Sequence, residues 1–307
     1  MKKVFITGGS GLLGSNLMMD YRSDFRVYGS FYSYPFKIGG AESIKMDIVD
    51  SKEVEAAIAD IKPDIVIHTA AIADVDVCEK NREMAEKVNV AGTENVAAAS
   101  QSLKAKFIYI STDYVFDGQV AGRDEEALPS PINCYGLTKL RGEEGTRRIS
   151  SDHLIIRTTI YGWSLEDKPR GVERMVLSLQ EGKEVFGFTD QIYAPVTVND
   201  LGRAILELVR KGLKGTYHIF SPDSLSRFEF TRQMARKFNL PVELVKPSKL
   251  KDARLVAPRP LLNNLSVKKA LKEIGPDFLP TVDQGLDNFK SLLENGFVAE
   301  LRKSRSH

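Results

Sequence analysis

Thr7-Gly8-Gly9-Ser10-Gly11-Leu12-Leu13-Gly14 is the stretch on which the fold turns. The apolar run Val4-Phe5-Ile6-Thr7 reads as a buried strand leading into it, and helical spacing runs from Gly14 to Asp20. Glycines at every third position between a strand and a helix suit a dinucleotide loop. Gly8 permits the tight turn, Gly11 lets the backbone approach a pyrophosphate, and Gly14 lets helix and sheet pack closely. The free N–H groups of the turn and first helical residues, Ser10, Leu12 and Leu13 among them, place partial positive charge toward phosphates. No Gly-Lys-Ser/Thr follows, which disfavours a P-loop.

Outward from this loop, short apolar runs alternate with helical stretches. Arg26–Phe31, Ile44–Met46, Asp64–His68, Lys106–Ser111 and Leu154–Arg157 read as strands. Glu53–Ile61, a long stretch from about Met84 to Ser102, and the segment carrying Tyr135 read as helices. Continuous apolar strands alternating with helices indicate a parallel sheet covered on both faces. The expected fold class is therefore α/β: a doubly wound parallel sheet of Rossmann type with a smaller, irregular C-terminal α/β lobe. Beyond Arg157 the pattern fades. Gly171–Gln180, Asp200–Arg210 and Phe228–Phe238 look helical, and Ala194–Val198 and Thr216–Phe220 look like strands. Pro241, Pro247, Pro258, Pro260, Pro276 and Pro280 then predict short elements and pocket-shaping loops. These readings divide the chain into a dinucleotide-binding domain over 1–160 and a substrate lobe over 161–307, with about 190–220 returning to the first domain.

The end of the second strand bears on cofactor choice. An acid there would bind the ribose hydroxyls of NAD and repel a 2′-phosphate. The chain instead has Gly29-Ser30-Phe31-Tyr32-Ser33, with no acid before Glu42. Ser30 and Ser33, with Lys37 nearby, suit the phosphate, so NADP (NADPH) is favoured and NAD stays possible. Asp47, followed by Ile48, is a candidate for the adenine amino group. His68-Thr69-Ala70-Ala71 is placed for close contact at the next strand's end.

Tyr135-Gly136-Leu137-Thr138-Lys139 puts a phenol and an ammonium on one helical face. A free tyrosine titrates near 10. A neighbouring ammonium favours the phenolate, and a shift of roughly 3 units needs about 4 kcal/mol of differential interaction. Beside a nucleotide loop, the pair points to proton transfer coupled to hydride transfer; on its own the spacing means little, since most such pairs are ordinary helix-surface residues.

Composition narrows the partners. With 43 Lys+Arg against 41 Asp+Glu, net charge is +2, which argues against nucleic-acid binding through bulk charge. The basic ending Arg302-Lys303-Ser304-Arg305 reads as a solvated tail. Two cysteines, Cys78 and Cys134, build no disulfide framework and suggest a reducing compartment; Cys134 reads as a packed small residue. The four His stand apart at 68, 153, 218 and 307, so no metal site is expected. Absence of a signal-like start or of a membrane-length apolar run gives a cytoplasmic expectation with no membrane partner.

Ser111-Thr112-Asp113-Tyr114-Val115-Phe116-Asp117-Gly118, taken with the glycine loop and the Tyr135–Lys139 run, resembles the extended short-chain dehydrogenase/reductase family. Within it the chain is most similar to the dTDP-4-dehydrorhamnose reductase group. Val75–Glu79, Asn89–Thr93, Pro131–Gly136, Arg157-Thr158 and Asp190-Gln191 fit the same group. The resemblance implies a catalytic set of Thr112, Tyr135 and Lys139, with Thr112 bonding the reacting oxygen and Tyr135 acting as general acid. Lys139 would lower the Tyr135 pKa and bind the nicotinamide ribose. It adds Asn89 to the cofactor site and implies substrate contacts at Asp76, Asp113, Tyr114, Val115, Gln191 and Arg259, the last toward a diphosphate. The implied reaction is NADPH-dependent reduction of the C4 ketone of a nucleotide-linked deoxysugar, in dTDP-L-rhamnose biosynthesis, by a possible homodimer. Departures lie in Thr158–Trp163, where those reductases place a tryptophan earlier, and in Arg259–Leu265. The regulatory subunit of methionine adenosyltransferase shares these motifs and gives a non-catalytic alternative. A related sugar-nucleotide epimerase or dehydratase is another.

Overall fold

Seven strands, all parallel, form the central sheet: β1 (Lys3–Thr7), β2 (Arg26–Phe31), β3 (Ala41–Lys45), β4 (Ile65–His68), β5 (Lys106–Thr112), β6 (His153–Thr158) and β7 (Gly215–His218). Their order is β7-β6-β5-β4-β1-β2-β3, so the chain reverses direction across the sheet between β1 and β4. That reversal opens a crevice at the strands' carboxyl ends. The computed structural model describes residues 1–165 and 169–304; Arg305 and His307 lie outside the described residues. Both faces of the sheet are covered, and every residue of β4 and β5 is buried, as continuous apolar strands require.

The covering helices are α1 (Leu12–Tyr21), α2 (Ser51–Ile61), α3 (Val75–Lys80), α4 (Arg82–Glu86), α5 (Gly92–Ser102) and α6 (Cys134–Ile149). The long helix expected from Met84 to Ser102 is interrupted. A π-helical turn, Lys87–Ala91, joins α4 to α5. Residue periodicity carries a helix through this segment but does not reveal the added residue of a π turn.

The second half contributes α7 (Gly171–Gln180), α8 (Val198–Arg210), α9 (Arg227–Lys237), α10 (Lys268–Ile274), α11 (Val282–Glu294) and α12 (Phe297–Lys303). The strand expected over Ala194–Val198 shrinks to Val196–Thr197, because Thr197 caps α8 by accepting the Asp200 N–H. α8 buries Leu201, Ala204, Ile205 and Leu208. It lies close on α1, where Gly202 admits Leu17 and its carbonyl accepts the Tyr21 hydroxyl at 2.7 Å. Trp163 is fully buried, stacked on Phe289 at 4.2 Å, and donates to the Phe289 carbonyl; it belongs to the core rather than to a cleft.

Two residues of the basic ending are docked on the body of the protein. Arg302 pairs with the buried Glu173 at 2.7 Å, and the Ser304 carbonyl accepts the Lys37 N–H. Among the described residues no helix is long and apolar enough to cross a membrane, and no cluster of three or more His, Cys, Asp or Glu is placed to hold a metal ion.

Candidate active site

At the β1–α1 turn Gly8 has φ +71°, and a Cβ there would stand 2.9 Å from the Ala70 backbone. A Cβ at Gly14 would meet the Gly8 carbonyl at 2.2 Å, so helix and loop touch backbone to backbone. The Gly11 N–H closes the turn on the Gly8 carbonyl, and the first helical bond runs from the Ser15 N–H to Gly11. The N–H groups of Leu12, Leu13 and Gly14 therefore precede the helical ladder, and no acid or side-chain cap occupies this helix start. Leu12 and Leu13 can serve a ligand only in this way, because Leu13 is core and Leu12 packs on it.

The turn opens on a cavity of about 490 Å³. Gly8, Ser10, Gly11, Ser30, Ser33, Asp47, Ile48, Thr69, Ala70 and Ala71 all line it. Sequence reasoning missed Tyr32, Tyr34, Ile72, Met84 and Lys87 on its walls. Exposed aromatic residues after a β-strand were the available signal: Tyr32 and Tyr34 are 65% and 71% exposed. Lys37 does not line the cavity. Lys45, paired in register with Phe31, stands with Ser33 in the hollow beside the end of β2.

Two residues assigned to the cofactor act one layer behind it. Asn89 is fully buried; its carbonyl oxygen accepts the Ile72 N–H at 2.8 Å, and its amide donates to the Ile72 carbonyl and to Thr138. It holds the cavity wall rather than lining it. His68 is likewise buried, between Thr7 and Thr93. Thr93 donates to the Asn89 carbonyl, so His68 Nε2 donates to Thr93 and Nδ1 accepts from Thr7. Burial pushes this imidazole down to about 3, which keeps it neutral.

Thr112 ends β5, and α6 carries Tyr135 and Lys139 past it. Asn133 caps α6 by accepting the Gly136 N–H, while its amide donates to the Pro258 carbonyl. A Cβ at Gly136 would lie 2.1 Å from the Tyr114 carbonyl, so a glycine after Tyr135 lets the helix meet the β5 turn. Tyr135 is half-buried and meets Tyr114 edge-on at 6.0 Å. Burial raises its phenol above the ordinary value, the Asp113 charge adds to this, and hydrogen bonding to Thr112 opposes it. Lys139 is buried over the Tyr109 ring at 4.1 Å, and burial lowers it to about 7 against the pull of Glu143. The expected lowering of Tyr135 is thus not produced by the protein's own groups, because desolvation and the Asp113 charge outweigh the hydrogen bond with Thr112.

Behind this pair lies a buried ionic cluster. Glu143 accepts Ser111 Oγ at 2.6 Å, Arg157 Nε at 2.9 Å and Nη2 at 2.8 Å, and Arg147 at 2.8 Å. Arg157 also faces His218 Nε2 at 3.3 Å, while His218 Nδ1 meets the Ser266 carbonyl. An arginine can only donate, so His218 carries its proton on Nδ1; burial and Arg157 hold it down to about 3. Glu143 sits one turn beyond Lys139, so the cluster anchors the helix that carries the pair to β5, β6 and β7.

The expected substrate residues are mostly engaged by other groups of the protein. Arg259 forms an ion pair with Asp76 at 2.8 Å and also donates to the Ala257 carbonyl. Gln191 is 2% exposed, and its amide donates to the Pro260 carbonyl at 2.9 Å, which fixes the Pro260 loop. Val115 is wholly buried and offers no side-chain contact. Asp113 is buried as well, accepting Thr112 Oγ1 at 2.9 Å and Asn263 Nδ2 at 2.5 Å. Burial raises its carboxyl, against hydrogen bonds from Thr159, Thr112 and Asn263. Cys134 is buried, and burial raises its thiol, which suits packing rather than nucleophilic attack.

The RmlD substrate binding domain model matches residues 1–290. The chain is 33% identical over 287 residues to a probable low-salt glycan biosynthesis reductase of Haloferax volcanii, covering 92% of this chain and 95% of the relative. It is 30% identical over 283 residues to methionine adenosyltransferase 2 subunit beta of Xenopus tropicalis, covering 89% and 83%. Among solved structures, dTDP-4-dehydrorhamnose reductase from Bacillus anthracis in complex with NADP superposes with a TM-score of 0.84 at 33% identity. That match covers 95% of this chain and 99% of the other.

Proposed function

Because this chain belongs to the RmlD substrate binding domain family, we propose that it is an NADPH-dependent reductase of the C4 ketone of a nucleotide-linked deoxysugar. The observation that carries this reading is that the glycine turn and Ile72 line one cavity, and that Asn89, which holds Ile72, also bonds Thr138 on the helix of Tyr135 and Lys139. The relative solved with NADP, and the absence of a carboxylate at the end of β2, support NADPH over NADH. The fit to that cofactor is steric as well: at Gly11 the open backbone leaves room for a pyrophosphate, and the cavity beyond has aromatic walls.

When bound, NADPH supplies the hydride that the ketone carbon takes up. Tyr135 then gives its proton to the oxygen left on that carbon, so ketone, hydride and proton balance to an alcohol. A phenol held above its ordinary pKa keeps its proton until negative charge develops on a neighbouring oxygen, and protonated Lys139 would favour the phenolate left behind. Thr112 lies beside the pair with its hydroxyl donated to Asp113, and it would serve the substrate oxygen by exchanging that bond for one to the substrate.

Loss of nicotinamide absorbance with dTDP-4-dehydrorhamnose, against a panel of nucleotide-linked keto-sugars, tests the reading. Turnover with any panel member fits a reductase. The similarity to methionine adenosyltransferase 2 subunit beta favours a second reading, a regulatory subunit without turnover. No turnover with the whole panel, together with tight binding to a methionine adenosyltransferase catalytic subunit, would establish that second reading. Conversion of a sugar nucleotide with no net NADPH loss would instead indicate an epimerase or dehydratase.

A further inference from the structure

The arginine expected at the substrate diphosphate, Arg259, is neutralised by Asp76 and held by the Ala257 carbonyl. Lys139, the buried cation beside Tyr135, is claimed by the catalytic reading. A third cation acts on the residues next to Thr112. Arg227, first residue of α9, lies over the Tyr193 ring with Cζ 4.5 Å from its centre. Its charge acts on Asp113, Tyr114 and Tyr193, which places it at the substrate side of the Thr112–Tyr135 turn.

Among the described residues its guanidinium makes no ion pair and no hydrogen bond, and its Nε is buried without an acceptor. Buried donors in folded proteins are almost always satisfied, so an unsatisfied one needs an explanation. Its seat over the Tyr193 ring holds the guanidinium in place while leaving its N–H donors without a protein partner, and such a fork suits two oxygens of one anion. The main chain at this point is equally fixed: the Arg227 N–H donates to the Gln191 carbonyl, and Ser226 caps α9.

We propose that Arg227 is the anion-binding residue of the crevice and takes the diphosphate of the substrate, the role the sequence assigned to Arg259. This deepens the sugar-nucleotide reading and rests on it. Gln191, whose side chain is committed to Pro260, and Arg259, committed to Asp76, then act as positioning residues that hold the walls on either side of the anion.

The test is direct binding of dTDP and of thymidine to the NADPH-loaded protein by calorimetry, in wild type, Arg227→Ala and the near-isosteric Arg227→Gln. Wild type should bind dTDP far more tightly than thymidine. Either substitution should weaken dTDP by at least about 30-fold, the lower range for losing the partner of a desolvated charge, and leave thymidine and NADPH affinities unchanged. Unchanged dTDP affinity in either variant, equal weakening of dTDP and thymidine, or no dTDP binding by wild type would each overturn the assignment. Arg227-dependent dTDP binding without turnover of any keto-sugar would sustain the anion site while removing the reductase reading.

Discussion

The crevice has two walls built on different principles. On the cofactor side ten of the residues expected from the sequence, glycines and small side chains among them, line an open cavity. On the substrate side the expected residues are engaged within the protein: Asp76 with Arg259, Gln191 with Pro260, Asp113 with Thr112 and Asn263. The contrast teaches where binding information is stored. A wall built on a glycine turn is written as glycine spacing. One assembled from four segments far apart in the sequence stores it in pairings that only the folded chain makes.

The sharpest way to break this comparison is at the seam, where the walls share Tyr135. Tyr135→Phe should cut turnover by about 10²–10⁴-fold with NADPH affinity and melting unchanged; near wild-type turnover would remove Tyr135 as the acid. Next in size is the anchor behind it. Glu143→Leu leaves Arg157 buried without its carboxylate and should cost about 3–5 kcal/mol of stability in chemical denaturation. A loss below about 1 kcal/mol would show that His218 and Ser111 do not depend on the ion pair.

Acid should weaken both walls through the two neutral histidines. His68 and His218 are held down to about 3 in the folded protein, whereas unfolded histidine titrates near 6.5. The unfolded chain therefore binds more protons between these values. Stability is fully present above about 6.5 and falls as pH drops toward 3, by at most about 1.4 kcal/mol per pH unit for each histidine. Denaturation midpoints across that window should show the slope, and His218→Gln should flatten it; an unchanged slope in the variant would place the titration elsewhere.

Smaller effects sharpen each wall separately. Ser30→Asp sets a carboxylate where a 2′-phosphate would lie and should shift preference from NADPH toward NADH; a ratio of KM values that does not move would show that the end of β2 does not discriminate. Asp76→Ala and Arg259→Ala should each cost little, about 0–1 kcal/mol for a partly exposed pair. The double variant should cost no more than either alone, since both break one contact.

The same contrast explains what could be read beforehand. The sheet, the glycine turn and the Tyr135 helix follow from apolar periodicity and backbone sterics, which are local. Asn89 and His68 were assigned to the right neighbourhood but the wrong layer, because sequence places a residue on a strand end or helix without saying whether it faces in or out. Lys45 was missed in favour of Lys37 because the β2–β3 register, a non-local pairing, brings it beside Phe31. Arg227 gave no signal, since its significance lies in what it fails to touch.

The π turn at Lys87–Ala91 has a consequence for how this segment can vary. One residue of an α-helix corresponds to about 100° of rotation, so a single inserted residue sets the faces before and after it out of phase. Met84, Lys87 and Val88 can thereby face the cavity while Val96 and Ala97 remain in the core one helix later. Deleting any one residue between 87 and 91 would heal the helix and rotate α4 away from the crevice. The segment is thus less tolerant of a one-residue deletion, which every hydrogen bond would welcome, than of many substitutions that would look far more drastic.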